Sequence, residues 1–210
     1  MKIAVFASGR GSNFQAILDG IREGLLPAQV CSVISNNSAA GALQTARSHN
    51  IPAFHLSQKQ FPSEDAFSNS LLSLLQDHGA QFIALAGYLK KLPVPVVEYY
   101  RNKIINVHPA LLPSFGGSGM YGRHVHEAVI AAGVKVSGAT VHLVDEVYDR
   151  GPIVLQKPVE VTVDDDAESL AAKVLVIEHE IYPLALKAFA EGRVEFKGNK
   201  VWIRSLSRRS

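Results

Sequence analysis

The chain opens on a strand that runs directly into a glycine loop and then a helix, and this order restricts the fold more than anything after it. Lys2 to Ala7, KIAVFA, is an apolar run of the kind buried in a parallel sheet. SGRGSN follows, Ser8 to Asn13, and then Phe14, Ile17, Leu18 and Ile21 recur at helical spacing. Strand, glycine turn and helix form the opening unit of a doubly wound sheet. Gly9 and Gly11 let backbone N–H groups approach an anion, which a helix N-terminus favours electrostatically. The same residues also serve as a plain tight turn. No third glycine follows in place, so this is not a dinucleotide fingerprint, and no Gly-Lys-Ser/Thr occurs, so it is not a Walker loop. Ser12 or Asn13 is the expected N-cap of the helix.

The pattern then repeats. Gln29 to Ser35 reads as a second strand, 39–49 as a helix and Ile51 to Leu56 as a short third strand. That is β-α-β-α-β, half of a doubly wound sheet. Residues 57–63 are polar and loop-like, and 63–78 form a helix with Phe67, Leu71, Leu74 and Leu75 on one face. Gln81 to Ala86 is a buried strand that opens onto Gly87, Tyr88, Leu89, Lys90, Lys91 and Leu92. After a helical turn at Val96 to Tyr100, Lys103 to His108 forms a further strand, ended by Pro109. Alternation places Asn106 and His108 on one side of that strand, at its carboxyl end, where open α/β sheets put their chemistry. An amide and an imidazole aimed together can stabilise an oxyanion and move a proton. They can equally satisfy nearby backbone groups, and the strand alone does not choose.

Beyond Pro109, LLPSFGGSGMYGR carries glycines at 116, 117, 119 and 122 and reads as a mobile loop beside His108. His124 to Ala132 is a short helix; His124 and His126 are two residues apart and share no helix face, so no metal site is expected. Lys135 to Val144 and Ile153 to Val163 read as strands joined by DEVYDRGP, close enough to pair antiparallel. Asp149 lies in that turn, where it is either a turn residue or a carboxylate within reach of His108. Asp164 to Asp166 cap a helix over 166–191, with Leu170, Val174, Ile177 and Ile181 on one face and Pro183 expected to kink or interrupt it. A hairpin over 193–203 closes the chain.

With 210 residues and no linker or repeat, the chain is expected to be one domain over 1–210, a mononucleotide-binding half (1–100) and a second half (101–210). A net charge of +2 gives no case for nucleic acid, and the basic tail RSLSRRS reads as solvated. No apolar run reaches the length of a spanning helix and no leader is evident, so the expected location is cytoplasmic, with no membrane partner. The single Cys31 rules out an intrachain disulfide and is read as a small buried hydrophobe.

SGRGSN, ALAGYLKKL, IINVHPALLPSF, GATVHLVDEVYDRGPI and EHEIYP occur together, in order and over essentially the whole chain. In this the chain resembles the phosphoribosylglycinamide formyltransferases, a branch of the enzymes that use 10-formyltetrahydrofolate. The resemblance implies a Rossmann-like, mostly parallel α/β fold with an antiparallel pair in the C-terminal half. It implies formyl transfer from 10-formyltetrahydrofolate to 5-phosphoribosylglycinamide, a step of purine biosynthesis, by a monomer or homodimer without a metal. By position, Asn106, His108 and Asp149 match the catalytic trio, with Asp149 favouring the protonated imidazole of His108. Gly11, Ser12, Asn13 and Glu178 match the nucleotide site. Leu89, Lys90, Lys91 and Leu92, with Asn106 and the run Asp145, Glu146, Val147, Tyr148 and Asp149, match the folate site. His142 matches a supporting residue. The chain departs from the family pattern at Lys90 and near Glu64, where arginines occur in other members; a lysine supplies a point charge but no fork. Two other readings stand beside this one: a hydrolase of formyl-folate with the same trio, and a nucleotide-binding module without activity.

Overall fold

The computed structural model describes residues 1–205. Five parallel strands, β1 (Lys2–Phe6), β2 (Gln29–Ser35), β3 (Ala53–His55), β4 (Phe82–Leu85) and β5 (Ile104–His108), are followed by β6 (Val136–Leu143) and β7 (Ile153–Glu160). They form one sheet in the order β3-β2-β1-β4-β5-β6-β7. β6 runs antiparallel to both neighbours, as the short DEVYDRGP connection predicts. The strand order reverses between β1 and β4, which opens a crevice at the carboxyl ends of the central strands.

The helices are α1 (Ser12–Arg22), α2 (Gly41–Ser48), α3 (Glu64–Asp77), α4 (Val94–Tyr99), α5 (Arg123–Ala132) and α6 (Ala167–Ala190). α1, α2, α5 and α6 cover one face of the sheet, where Phe14, Leu43, Val129, Leu170 and Val174 share one core with Ile3 and Val5 of β1. α3 and α4 cover the other, through Phe67, Leu71, Leu75 and Val96. Both faces are thus apolar, which is why β1 reads as an unbroken run rather than an alternation. Cys31 sits in the second core as a free thiol, and burial pushes its pKa up.

Several expectations are corrected. Neither Ser12 nor Asn13 caps α1; Gly11 does, at φ 85°, with no side-chain cap bond. A Cβ on Gly11 would stand 2.8 Å from that of Ala42, so the left-handed turn and the close packing of α2 both demand glycine. Pro183 does not interrupt α6. It costs a backbone hydrogen bond, but Tyr182, Ala185 and Leu186 are fully buried around it and hold the helix together. The polar loop at 57–63 contains a short 3-10 turn, Gln58–Gln60. β8 (Val194–Lys197) and β9 (Lys200–Ile203) form the expected terminal hairpin. Of the basic tail, residues 206–210 lie outside the described residues. Among the described residues no helix is long and apolar enough to cross a membrane.

Candidate active site

The cleft at the carboxyl ends of β1, β4 and β5 has a volume of ≈ 660 Å³ and is lined by Asn13, Asn106, His108, Asp149 and Glu178 among others. At the β5 end, Asn106 lies directly opposite His142 across the β5–β6 ladder, so their side chains meet. Asn106 Nδ2 is 3.1 Å from His142 Nε2, and His142 Nδ1 is 2.8 Å from the carbonyl of Leu143. A carbonyl only accepts, so Nδ1 carries a proton, leaving Nε2 to accept from the amide of Asn106. By the same reasoning His108 donates from Nε2 to the carbonyl of Phe115, at 2.8 Å, and turns Nδ1 toward Asp149 Oδ2 at 3.6 Å. The other carboxylate oxygen, Oδ1, lies 3.5 Å from His142 Nε2. One carboxylate is therefore shared between two buried imidazoles.

Two backbone features fix Asp149 there. Its own φ is 55°, the left-handed region that Asp tolerates better than most residues. The glycine-rich loop lies against it: Gly117 N–H donates to Oδ2 at 2.8 Å, and a Cβ on Gly116 would stand 3.2 Å from Asp149 Cβ. Burial acts to raise the Asp149 pKa, but the adjoining His142 ring, the hydrogen bond from Gly117 and the nearby His108 outweigh it, and the carboxyl sits below its usual range. For His108 the balance goes against expectation. Burial lowers its pKa, and Asp149 and the Phe115 carbonyl offset this only in part. The imidazole of the resting site is thus neutral near pH 7, not the cation that a carboxylate neighbour alone predicts.

At the β1 end the partners are few. Asn13 Nδ2 donates to Glu178 Oε2 at 2.6 Å, bridging α1 and α6, while Asn13 Oδ1 is buried with no partner. Glu178 is 8% exposed, and burial pushes its pKa up to about 7 despite the bond from Asn13. Gly11 and Ser12 stand at the N-terminus of α1 beside this pair. Ser8 ties the loop down: its hydroxyl donates to Asn36 Oδ1 and accepts from the N–H of Leu89.

The expected folate segments divide. Leu89 and Lys90 line the main cleft. Lys90, Lys91, Leu92, Asp145, Val147, Tyr148 and Asp149 line a narrow adjoining pocket of ≈ 60 Å³, whose floor includes Asn106 and His142. Glu146 is exposed and lines neither. Tyr88 stands between the two, and burial together with Tyr148 pushes its hydroxyl up to about 12. Two supporting residues escape sequence reasoning. Tyr182 is fully buried, and its hydroxyl is shared between the carbonyls of Leu85 and Ile105, fastening α6 to β4 and β5. Thr140, also buried, donates to the Ala110 carbonyl and accepts from Leu112 N–H, which anchors the chain just beyond His108. An apolar strand and an amphipathic helix give no signal for either. Among the described residues no group of three or more His, Cys, Asp or Glu is placed to hold a metal ion.

Residues 1–186 match the model of the formyl transferase family. The chain is 41% identical over 201 residues to the chloroplastic phosphoribosylglycinamide formyltransferase of Arabidopsis thaliana, covering 95% of this chain and 69% of that protein. A second chloroplastic relative, from Vigna unguiculata, is spanned over 64% of its length. The phosphoribosylglycinamide formyltransferase of Bacillus subtilis is 38% identical, with 89% of this chain and 93% of that protein covered. Among solved structures, glycinamide ribonucleotide transformylase 1 from Symbiobacterium toebii superposes with a TM-score of 0.91 at 41% identity, over 98% and 94% of the two chains. The fold, the family match and these relatives agree: the chain belongs to the formyl transferase family, in its phosphoribosylglycinamide formyltransferase branch.

Proposed function

We propose that this chain transfers the formyl group of 10-formyltetrahydrofolate to the primary amine of 5-phosphoribosylglycinamide. The observation that carries this reading is the shared corner of Asn106, His108 and Asp149, open to a cleft that runs to Asn13, Glu178 and the α1 N-terminus. Gly11 to Asn13 would hold the phosphate with backbone N–H groups, and Glu178 the sugar hydroxyls. The narrow pocket beside Leu92 and Val144 offers apolar walls to the folate ring, with Lys90 and Lys91 at its rim.

The amine attacks the formyl carbon, and its electron pair forms the new C–N bond while the carbonyl oxygen becomes an oxyanion. Asn106 spends one amide N–H on His142, leaving the other for that oxygen. The neutral imidazole of His108 carries one N–H, which it shares between the Phe115 carbonyl and the growing oxyanion, so it adds a second donor without taking up a proton. Asp149, ionised at rest, takes the proton from the attacking nitrogen and passes it to the departing folate nitrogen as the intermediate collapses. One proton moves, one C–N bond forms and one breaks, and no enzyme nucleophile takes part. Each oxyanion donor accounts for about 2.7–4 kcal/mol of barrier.

The test is folate product absorbance with and without glycinamide ribonucleotide. Product only in its presence supports transfer; formate release without it establishes the hydrolase; no product in either case leaves a binding module.

A further inference from the structure

His126 has no role in the reaction above, yet it is a buried imidazole, 5% exposed, on the wall of the same cleft. α6 packs between α1 and α5. The three helices therefore present Asn13, Glu178 and His126 to the cleft in that spatial order, from α1, α6 and α5. His108 is the next group along, near enough to disfavour a proton on His126, and burial acts in the same direction. His126 is thus a neutral imidazole with one proton to place. Its Nδ1 is sealed from solvent without a hydrogen-bond partner, whereas Nε2 is not sealed. A buried unpaired N–H is rarer and costlier than a buried unpaired acceptor. The proton accordingly sits on Nε2, the nitrogen that opens on the cleft.

A donor without a protein acceptor thus stands between the carboxylate assigned to the sugar and the imidazole assigned to the oxyanion. The stretch of the acceptor nucleotide that must lie there is the amide joining sugar to amine, and its one strong acceptor is the carbonyl oxygen. The phosphate belongs one helix further away, at α1, and a neutral imidazole suits a neutral carbonyl better than an anion. We infer that His126 is a substrate-positioning residue whose Nε2–H binds the glycinamide carbonyl and so aims the amine at the formyl carbon. This rests on the acceptor proposed above.

The experiment compares wild type, His126→Leu and His126→Gln, the last restoring an N–H donor near the place of Nε2. His126→Leu is expected to raise the KM for glycinamide ribonucleotide about tenfold or more, the loss of one substrate hydrogen bond, with the KM for the folate donor unchanged. His126→Gln is expected to recover most of that loss. An unchanged nucleotide KM in His126→Leu, or equal impairment of both variants, overturns the inference. Imidazole ¹⁵N spectra of the wild type give the same decision without a substitution: the His126 Nε2–H resonance is expected to move on adding the nucleotide, and a stationary resonance overturns the role. Failure of the wild type to formylate the nucleotide at all instead removes the reaction assignment, and this inference with it.

Discussion

At the end of β5 the polar side chains satisfy one another, whereas at the end of β1 they are left open. Asn106 bonds His142, His142 bonds a backbone carbonyl, His108 bonds Phe115, and Asp149 accepts from Gly117. Asn13 keeps a buried oxygen without a partner, and Glu178 has one hydrogen bond for a carboxyl that burial holds near neutrality. Groups that act on a short-lived charge must already be aimed, because reorienting them during the reaction adds to the barrier. Groups that hold a ligand must keep valences free for it, and an unfilled buried valence costs stability until the ligand arrives. The two ends of one cleft thus divide orientation from affinity.

That division predicts opposite kinetic signatures. Asp149→Asn removes the proton carrier and is expected to lower kcat by about 10³-fold while the nucleotide KM stays within a few-fold, in steady-state assays. Asn13→Ala is expected to do the reverse, raising the nucleotide KM about tenfold with kcat nearly unchanged. A fall in kcat alone for Asn13→Ala would erase the contrast between the two ends.

Glu178 sharpens the same contrast through stability. Its folded pKa of about 7 lies above the ordinary 4.5, so the folded protein keeps a proton that the unfolded chain releases. Stability on this account falls as pH rises from 4.5 to about 7 and is level above that. Glu178→Gln removes this loss. Above pH 7 the variant is expected to be more stable than wild type by on the order of 3 kcal/mol, and below pH 4.5 the difference closes; urea unfolding across the range measures it. The smallest effect is expected at Cys31, which lies in the core behind α3 and away from the cleft. Cys31→Ala should leave turnover unchanged and cost about 1 kcal/mol of stability in the same unfolding assay.

The sheet was legible because its strands are apolar runs of the right length separated by glycine and asparagine turns, as at KIAVFA and QVCSVIS. Asn106 and His108 could be paired from alternation alone. Asp149 could not: its approach depends on a left-handed backbone at its own position and on a loop closing over it, and neither leaves a periodic trace. Ser12 and Asn13 both suit a cap by type, but the turn is made by Gly11, which frees Asn13 to reach a residue 165 positions away. The lowered proton affinity of His108 leaves no local trace for a related reason. A neighbouring charge is visible from a motif, but the burial that outweighs it is a property of the whole fold.

Formyl transfer is followed most directly with a donor labelled with ¹³C in its formyl group, by NMR. The expected result is a formamide signal on the nucleotide amine, formed only with glycinamide ribonucleotide present and lost in Asp149→Asn. A label that collects as free formate at the same rate with or without the nucleotide would contradict the account.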